Sequence, residues 1–470
     1  MSLWTSGEIA EATGGKADGL FEVTGVTFDS REVGAGDLFV AMKGEATDGH
    51  RFLDMAFGAG ASGALVGEAV PHPHVLVADV NKALNDLATA SRTRSHARIA
   101  GVTGSVGKTG TKEALFAALD RAAPGHAHRS VKSYNNHTGV PLSLARMPRD
   151  ARFGIFEMGM NHHGELAALT RLVRPHVAIV TAIAPAHRAF FKSDADIADA
   201  KGEIFEGLEE GGTALIPHES PHRDRLIAAA RPYAATILTF GLEEGADIRA
   251  RDMVPAARGG TLVTATLPEA ELTFTIAPPG AHWVSNALAV LGAVEALGGD
   301  LAAAGLALAD LEGLKGRGAR HMIATPGGEA LLIDESYNAN PSSMRATLKV
   351  LAQEQGRKIA VLGAMRELGD TSDDFHAALA GPVREAGVAL AILVGEEMGA
   401  LAKAVGPHIK MAHVPDVASA LDLVRGEIGP GDAILVKGSN SIGLAALVEA
   451  LAGPESKAGG PSAALGTGKS

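Results

Sequence analysis

The sequence predicts a multidomain α/β protein built on mostly parallel sheets, and three observations carry that expectation. The 470 residues correspond to about three domains, and 46% apolar content fills several cores. Glycine is frequent, at 58 residues, while aromatics make up only 4%, which suits many tight strand-to-helix turns. Short β-type runs alternate with helix-favouring runs along most of the chain, as in sheets whose strands are joined by crossover helices.

In chain order, residues 1–96 read as a small α/β domain, with apolar runs at 28–31 and 37–42 and an Ala-rich helix over 52–63. Residues 97–315 form a second domain. It opens with a β-type run at 97–101, a glycine loop and a helix over 112–119. Strands at 153–157, 177–183, 214–217 and 236–240 alternate with helices at 164–172 and 197–208. An antiparallel hairpin is predicted between 247 and 276, and a helix at 282–297 closes the domain. Residues 316–455 read as a doubly wound, Rossmann-like domain, with strands at 331–334, 359–362, 391–394 and 433–436. The stretch 456–470 is mostly Gly, Ser, Ala and Pro without apolar period, the composition of a disordered tail.

Composition excludes several function classes. A net charge of −12 disfavours nonspecific binding to nucleic acid or anionic membrane. With zero cysteines there are no disulfides, thiolate metal sites or cysteine nucleophiles. No apolar run approaches the roughly 18 residues of a membrane span, and residues 1–13 carry two glutamates without the basic start of a signal peptide. The expectation is a cytoplasmic, monomeric enzyme with no membrane insertion.

The loop Gly101-Val102-Thr103-Gly104-Ser105-Val106-Gly107-Lys108-Thr109 lies between a predicted strand and a predicted helix. Small residues there let backbone N–H groups converge on phosphate oxygens, Lys108 can reach the β- and γ-phosphates, and Thr109 offers a hydroxyl to Mg²⁺. The strict pattern wants glycine where Val102 stands, so the match is to a relaxed variant, with ATP as the expected nucleotide.

This loop is followed in order by Tyr134-Asn135-Asn136, Glu157-Met158-Gly159, Pro185-Ala186-His187, Ala200-Lys201-Gly202-Glu203-Ile204 and Tyr337-Asn338-Ala339-Asn340-Pro341. The set resembles the Mur ligases over about residues 25–450. Within the family it is most similar to the member that adds D-alanyl-D-alanine to UDP-N-acetylmuramoyl-tripeptide, on Phe28-Asp29-Ser30-Arg31 and residues 337–341. That resemblance implies an ATP-dependent amide ligase making a peptidoglycan precursor. The carboxylate takes the γ-phosphoryl group, the amine attacks the acyl phosphate and phosphate leaves; the charge on the phosphoryl oxygens calls for cations.

The resemblance implies Lys108, Glu157, His187 and Lys201 as the catalytic set, with Thr109, Glu157, His187 and a carbamate on Lys201 holding magnesium. It places Gly104, Ser105, Gly107, Gly110, Asn286, Arg317 and Asp334 with Lys108 and Thr109 at ATP. Ser30, Arg31, Lys43, Asn135, Asn136, Thr138, Tyr337, Asn338 and Asn340 fall to the two other substrates. Glu157 and His187 also end predicted strands, where parallel sheets bind ligands. Without the family, most of these polar residues read as turn or capping residues, and Lys201 as a surface lysine.

The chain departs from the family pattern at Gly110, Ala182, Ala184, Arg188 and Ala364, none of which removes a phosphate or metal group. Two alternatives stay open: another amide ligase of this superfamily, such as a sister Mur enzyme or a folylpolyglutamate synthetase, and a non-catalytic ATP-binding paralogue.

Overall fold

A computed structural model describes residues 2–44, 47–185, 190–257, 259–407 and 409–453. His187, Arg188 and the 456–470 tail lie outside the described residues. The chain forms three main sheets flanked by helices, the three-domain α/β architecture expected from the alternation of runs.

The first sheet has five strands in the order Lys16–Asp18, His74–Leu76, Gly63–Val66, Asp37–Val40 and Gly25–Thr27, parallel except for the first pair. The central sheet has nine. Its parallel part runs Ala127–Arg129, Phe153–Glu157, Arg98–Thr103, Val177–Val180, Thr213–Pro217, Thr236–Gly241 and Ile248–Pro255. Two antiparallel strands, Thr261–Thr266 and Glu271–Ile276, complete it. The third sheet orders Ala319–Thr325, Gly328–Glu335, Ala433–Lys437, Lys358–Gly363, Val388–Val394 and Lys410–Val414, antiparallel only in the first pair.

The continuous apolar runs form strands because the inner parallel strands of each sheet are covered on both faces, so successive side chains enter different cores. In the central sheet Ala100, Val102, Ile155, Val177 and Ile179 pack into one core. Their neighbours Ile99, Phe156, Ala178 and Val180 pack into the other. The third sheet divides Ala360 and Leu362 from Ile359 and Val361 in the same way.

Three expectations change. The helix expected over 52–63 is a short 3₁₀ turn, Gly49–Phe52, and a helix Leu53–Gly58; glycines 58 and 60 end it, and residues from Gly63 become a buried strand. The hairpin expected between 247 and 276 is a three-stranded meander whose first strand joins the parallel sheet, so it extends the edge. The helix expected over 197–208 spans Asp194–Gly202, capped by Ser193, and tightens to 3₁₀ over Glu203–Gly207.

Candidate active site

The strand Arg98–Thr103 and the helix Lys108–Ala122 are joined by a turn that only glycine allows at two points. Gly104 has φ +150°, and a Cβ there would lie 1.9 Å from Thr181 Oγ1. Gly107, at φ +87°, has the Asn286 amide 3.0 Å from where its Cβ would be. Gly107 is also the helix N-cap and offers no side-chain cap, which leaves the first N–H groups open to an anion. Thr181 Oγ1 pins the loop by bonding the Val106 carbonyl at 2.5 Å, and Ser105 N donates to Ala182 O at 2.8 Å. That second contact is made through backbone, so alanine suffices at 182. Ser105 Oγ is buried without a hydrogen-bond partner among the described residues. A cradle of bare backbone with an unpartnered hydroxyl fits a nucleotide phosphate.

Lys108 folds back over the loop, its Nζ donating to Gly104 O at 2.6 Å. Burial lowers the pKa of its ammonium; the Glu157 carboxylate opposes this and the Arg317 guanidinium adds to it. At Gly110, where the resemblance implies a hydroxyl residue, the Trp283 indole lies 2.9 Å from a hypothetical Cβ, so a larger side chain would crowd it.

Glu157, at the carboxyl end of its strand, is 1% exposed. Its Oε2 accepts from Thr109 Oγ1 at 2.8 Å and its Oε1 accepts from Asn135 Nδ2 at 2.8 Å. The carboxylate thus links the phosphate loop to the loop bearing Asn135. Gly159 N bonds Asn135 O at 2.8 Å and closes the same corner.

Lys201 is 1% exposed, not a surface lysine. Burial, with a further push from Lys108, holds its pKa well below the ordinary lysine value, and no carboxylate is paired with it among the described residues.

Other expected residues serve structure as well. Asn136 Oδ1 accepts from Thr138 Oγ1 and from Gly139 N, closing the turn into the helix Gly139–Ala145. Asn340 caps the helix Pro341–Gln353 through Ser343 N at 2.9 Å. Asp334, 1% exposed, spends one oxygen on Gly316 N at 2.7 Å and the other on Ser336 Oγ at 2.6 Å. It holds the turn that presents Arg317, whose guanidinium lies 4.2 Å from the Tyr337 ring centroid. Asn338 is exposed and lends its carbonyl to Lys437 Nζ at 2.9 Å.

In the first domain Arg31 is 82% exposed and bidentate to Asp29 at 2.8 and 2.6 Å, which lowers the Asp29 pKa to about 2. Ser30 sits beside it in the same turn, and the adjoining Glu32 pairs with Lys132 of the central domain. Lys43 lines a separate cavity of about 300 Å³ with Asp48, His50 and Glu68. It is not in the 29–32 turn.

Sequence reasoning missed Lys112 and Lys437, which are 0% and 2% exposed. Lys437 could have been flagged as a lone cation ending the apolar strand Ala433–Lys437.

The chain also matches known proteins. The Mur ligase family, catalytic domain model matches residues 22–94, the Mur ligase middle domain 102–294, and the Mur ligase, glutamate ligase domain 321–440. The UDP-N-acetylmuramoyl-tripeptide–D-alanyl-D-alanine ligase of Escherichia coli is 34% identical over 428 residues, 91% of this chain and 93% of that protein. The crystal structure of MurF from Acinetobacter baumannii superposes with a TM-score of 0.82 at 30% identity, covering 95% of this chain and 98% of that one. MurF ligase from Thermotoga maritima, solved in complex with ADP, gives 0.75 at 26% identity, covering 91% and 96%. With matches across all three sheets and a relative this similar over nine-tenths of its length, the chain belongs to the Mur ligase family.

Proposed function

We propose that this protein joins D-alanyl-D-alanine to UDP-N-acetylmuramoyl-tripeptide with cleavage of ATP to ADP and phosphate. The observation that carries the reading is the Thr109–Glu157–Asn135 line, which ties a phosphate loop to the loop expected at the donor. The Escherichia coli relative named above carries that activity in its name.

The chemistry follows from the residues. The open helix N-terminus and Lys108 hold the β- and γ-phosphates. The donor carboxylate oxygen attacks the γ-phosphorus as the bond to ADP breaks, and Lys108 with Arg317 stabilises the charge spread over the phosphoryl oxygens. The acceptor amine then attacks the carbonyl carbon, inorganic phosphate leaves and the nitrogen loses a proton. Thr109 and Glu157 are hard oxygen donors that fit magnesium, with His187 expected to add a ligand. When bound, the ion neutralises phosphate charge. Lys201 deepens this reading: with its ammonium disfavoured by burial and by Lys108, the free amine can attack carbon dioxide, lose a proton and become a carbamate, an anion whose charge Lys108 would offset. The protein acts as a cytoplasmic monomer.

The test is phosphate release with ATP and UDP-N-acetylmuramoyl-tripeptide, with and without D-alanyl-D-alanine, D-alanine, L-lysine, meso-diaminopimelate or L-glutamate. Turnover that prefers the dipeptide supports the proposal, because a site pairing a peptide bond and terminal carboxylate leaves groups unpaired with shorter acceptors. Preference for a single amino acid moves the chain to a sister ligase. No turnover with any acceptor leaves the non-catalytic reading.

A further inference from the structure

Lys112 is among the largest fully buried side chains of the molecule and takes no part in the chemistry above. It lies one helical turn after Lys108, in the helix that starts at the phosphate loop. Burying an ammonium is costly unless it is fully partnered, and an apolar side chain of similar volume would fill the same space at less cost. Its partners show what the charge does. Lys112 Nζ donates to the carbonyls of Ser130 and Lys132 and pairs with Glu113 Oε1 at 2.9 Å. Glu113 in turn holds Arg129 at 3.0 Å, and the Arg129 guanidinium lies over the Phe116 ring.

The segment so gripped is the entry to the Asn135 loop. Lys132 has φ +49°, a left-handed conformation that a non-glycine residue adopts only when its surroundings enforce it. From that turn the Lys132 side chain crosses to Glu32 of the first domain, next to Asp29 and Arg31. In the same segment Ser130 Oγ accepts the Glu157 N–H at 2.9 Å. One buried cation therefore sets the strained turn from which the donor-facing residues of two domains are placed, and it does so from the nucleotide helix.

We propose that Lys112 is a positioning residue that couples the phosphate-loop helix to the donor site through the 130–132 turn. The proposal rests on the assignment of that site to UDP-N-acetylmuramoyl-tripeptide. Replacing the ammonium by an apolar side chain of similar length frees the turn without touching the phosphate loop. The donor site then loses its geometry while the ATP site keeps its own.

The experiment is steady-state kinetics of full-length Lys112→Met, with ATP and donor varied separately and ATP affinity measured by titration. The expected result is a donor KM raised about tenfold or more, as loss of substrate positioning produces, with ATP affinity within about threefold of wild type. Glu113→Gln, which weakens the grip while keeping the lysine, is expected to shift the donor KM in the same direction by less. It carries the test if Lys112→Met does not fold. An unchanged donor KM, or equal loss for ATP and donor, overturns the positioning role. A wild-type protein that does not use the donor overturns the functional reading instead, and the proposal falls with it.

Discussion

Replacing Glu157 by glutamine separates catalysis from folding more cleanly than removing the side chain. The carboxylate is 1% exposed and accepts two hydrogen bonds of 2.8 Å, from Thr109 and Asn135. A glutamine keeps both contacts: its carbonyl oxygen accepts from Asn135 and its amide donates to a reversed Thr109 hydroxyl. What is lost is charge assistance, and hydrogen bonds to charged groups contribute about 1.5–3 kcal/mol against roughly 1 for neutral ones. Relief of the buried anion's desolvation offsets part of that, so the net cost in stability is on the order of 1–2 kcal/mol. Catalysis loses more. The carboxylate is the hard anion expected at magnesium, and its charge also favours the protonated Lys108. Loss of one preorganised electrostatic group of this kind costs about 10²–10³ in rate. The assay is phosphate release at saturating substrates across a magnesium titration, with denaturant midpoints for wild type and Glu157→Gln. A variant within about threefold of wild-type turnover with the same magnesium requirement would refute the assignment.

Three further outcomes are expected. Lys201→Ala loses nearly all activity and is partly rescued by a short carboxylate such as acetate, whereas Glu157→Ala is not; a Lys201→Ala protein with normal turnover rules the carbamate out. Gly110→Ser lowers the unfolding free energy by about 1–3 kcal/mol through its clash with Trp283, read from denaturant unfolding, and unchanged stability would show that the indole moves freely. Stability falls as pH drops from about 6.5 toward 4, because burial holds His128 and His176 near 4 in the folded protein. The unfolded chain binds more protons across that window, so the contribution is complete above it and lost within it. His128→Gln, scored by urea midpoints at pH 7 and 5, is expected to flatten the decline, and an equally steep decline counts against that residue.

Much of the fold was legible because its inner parallel strands are buried on both faces and read as apolar runs. The stretch 52–63 was misread for the same reason: alanine and glycine favour neither period strongly, so the change from helix to strand at Gly63 leaves no mark in composition. The phosphate loop was legible from its glycines, whose positive φ angles the turn requires. The polar residues around it were less so. Asn136 and Asn340 close or cap helix starts while standing at expected substrate positions, and asparagine suits both uses equally well. Asp334 is spent on the turn that presents Arg317, a role set by a residue eighteen positions away in sequence.

The buried lysines mark where reading from sequence stops, since a lysine in a helix looks solvated until the packing around it is known, and a lone one ending an apolar strand is at most flagged. Three are at most 2% exposed, and their partners separate their roles. Lys112 is matched by Glu113 and two carbonyls, and Lys437 by Glu335 at 3.5 Å and the Asn338 carbonyl. Each is a charge-compensated tether for a loop that bears expected substrate residues. Lys201 is paired with no carboxylate among the described residues, and the charge that bears on it is Lys108, of like sign. Burial beside a like charge favours the neutral amine over the ammonium. A carbamate on that amine would carry the opposite charge to Lys108, which would offset the cost of burying the anion. The same burial that would make Lys201 a poor structural cation therefore suits it to carry the carbamate that the proposed reaction uses.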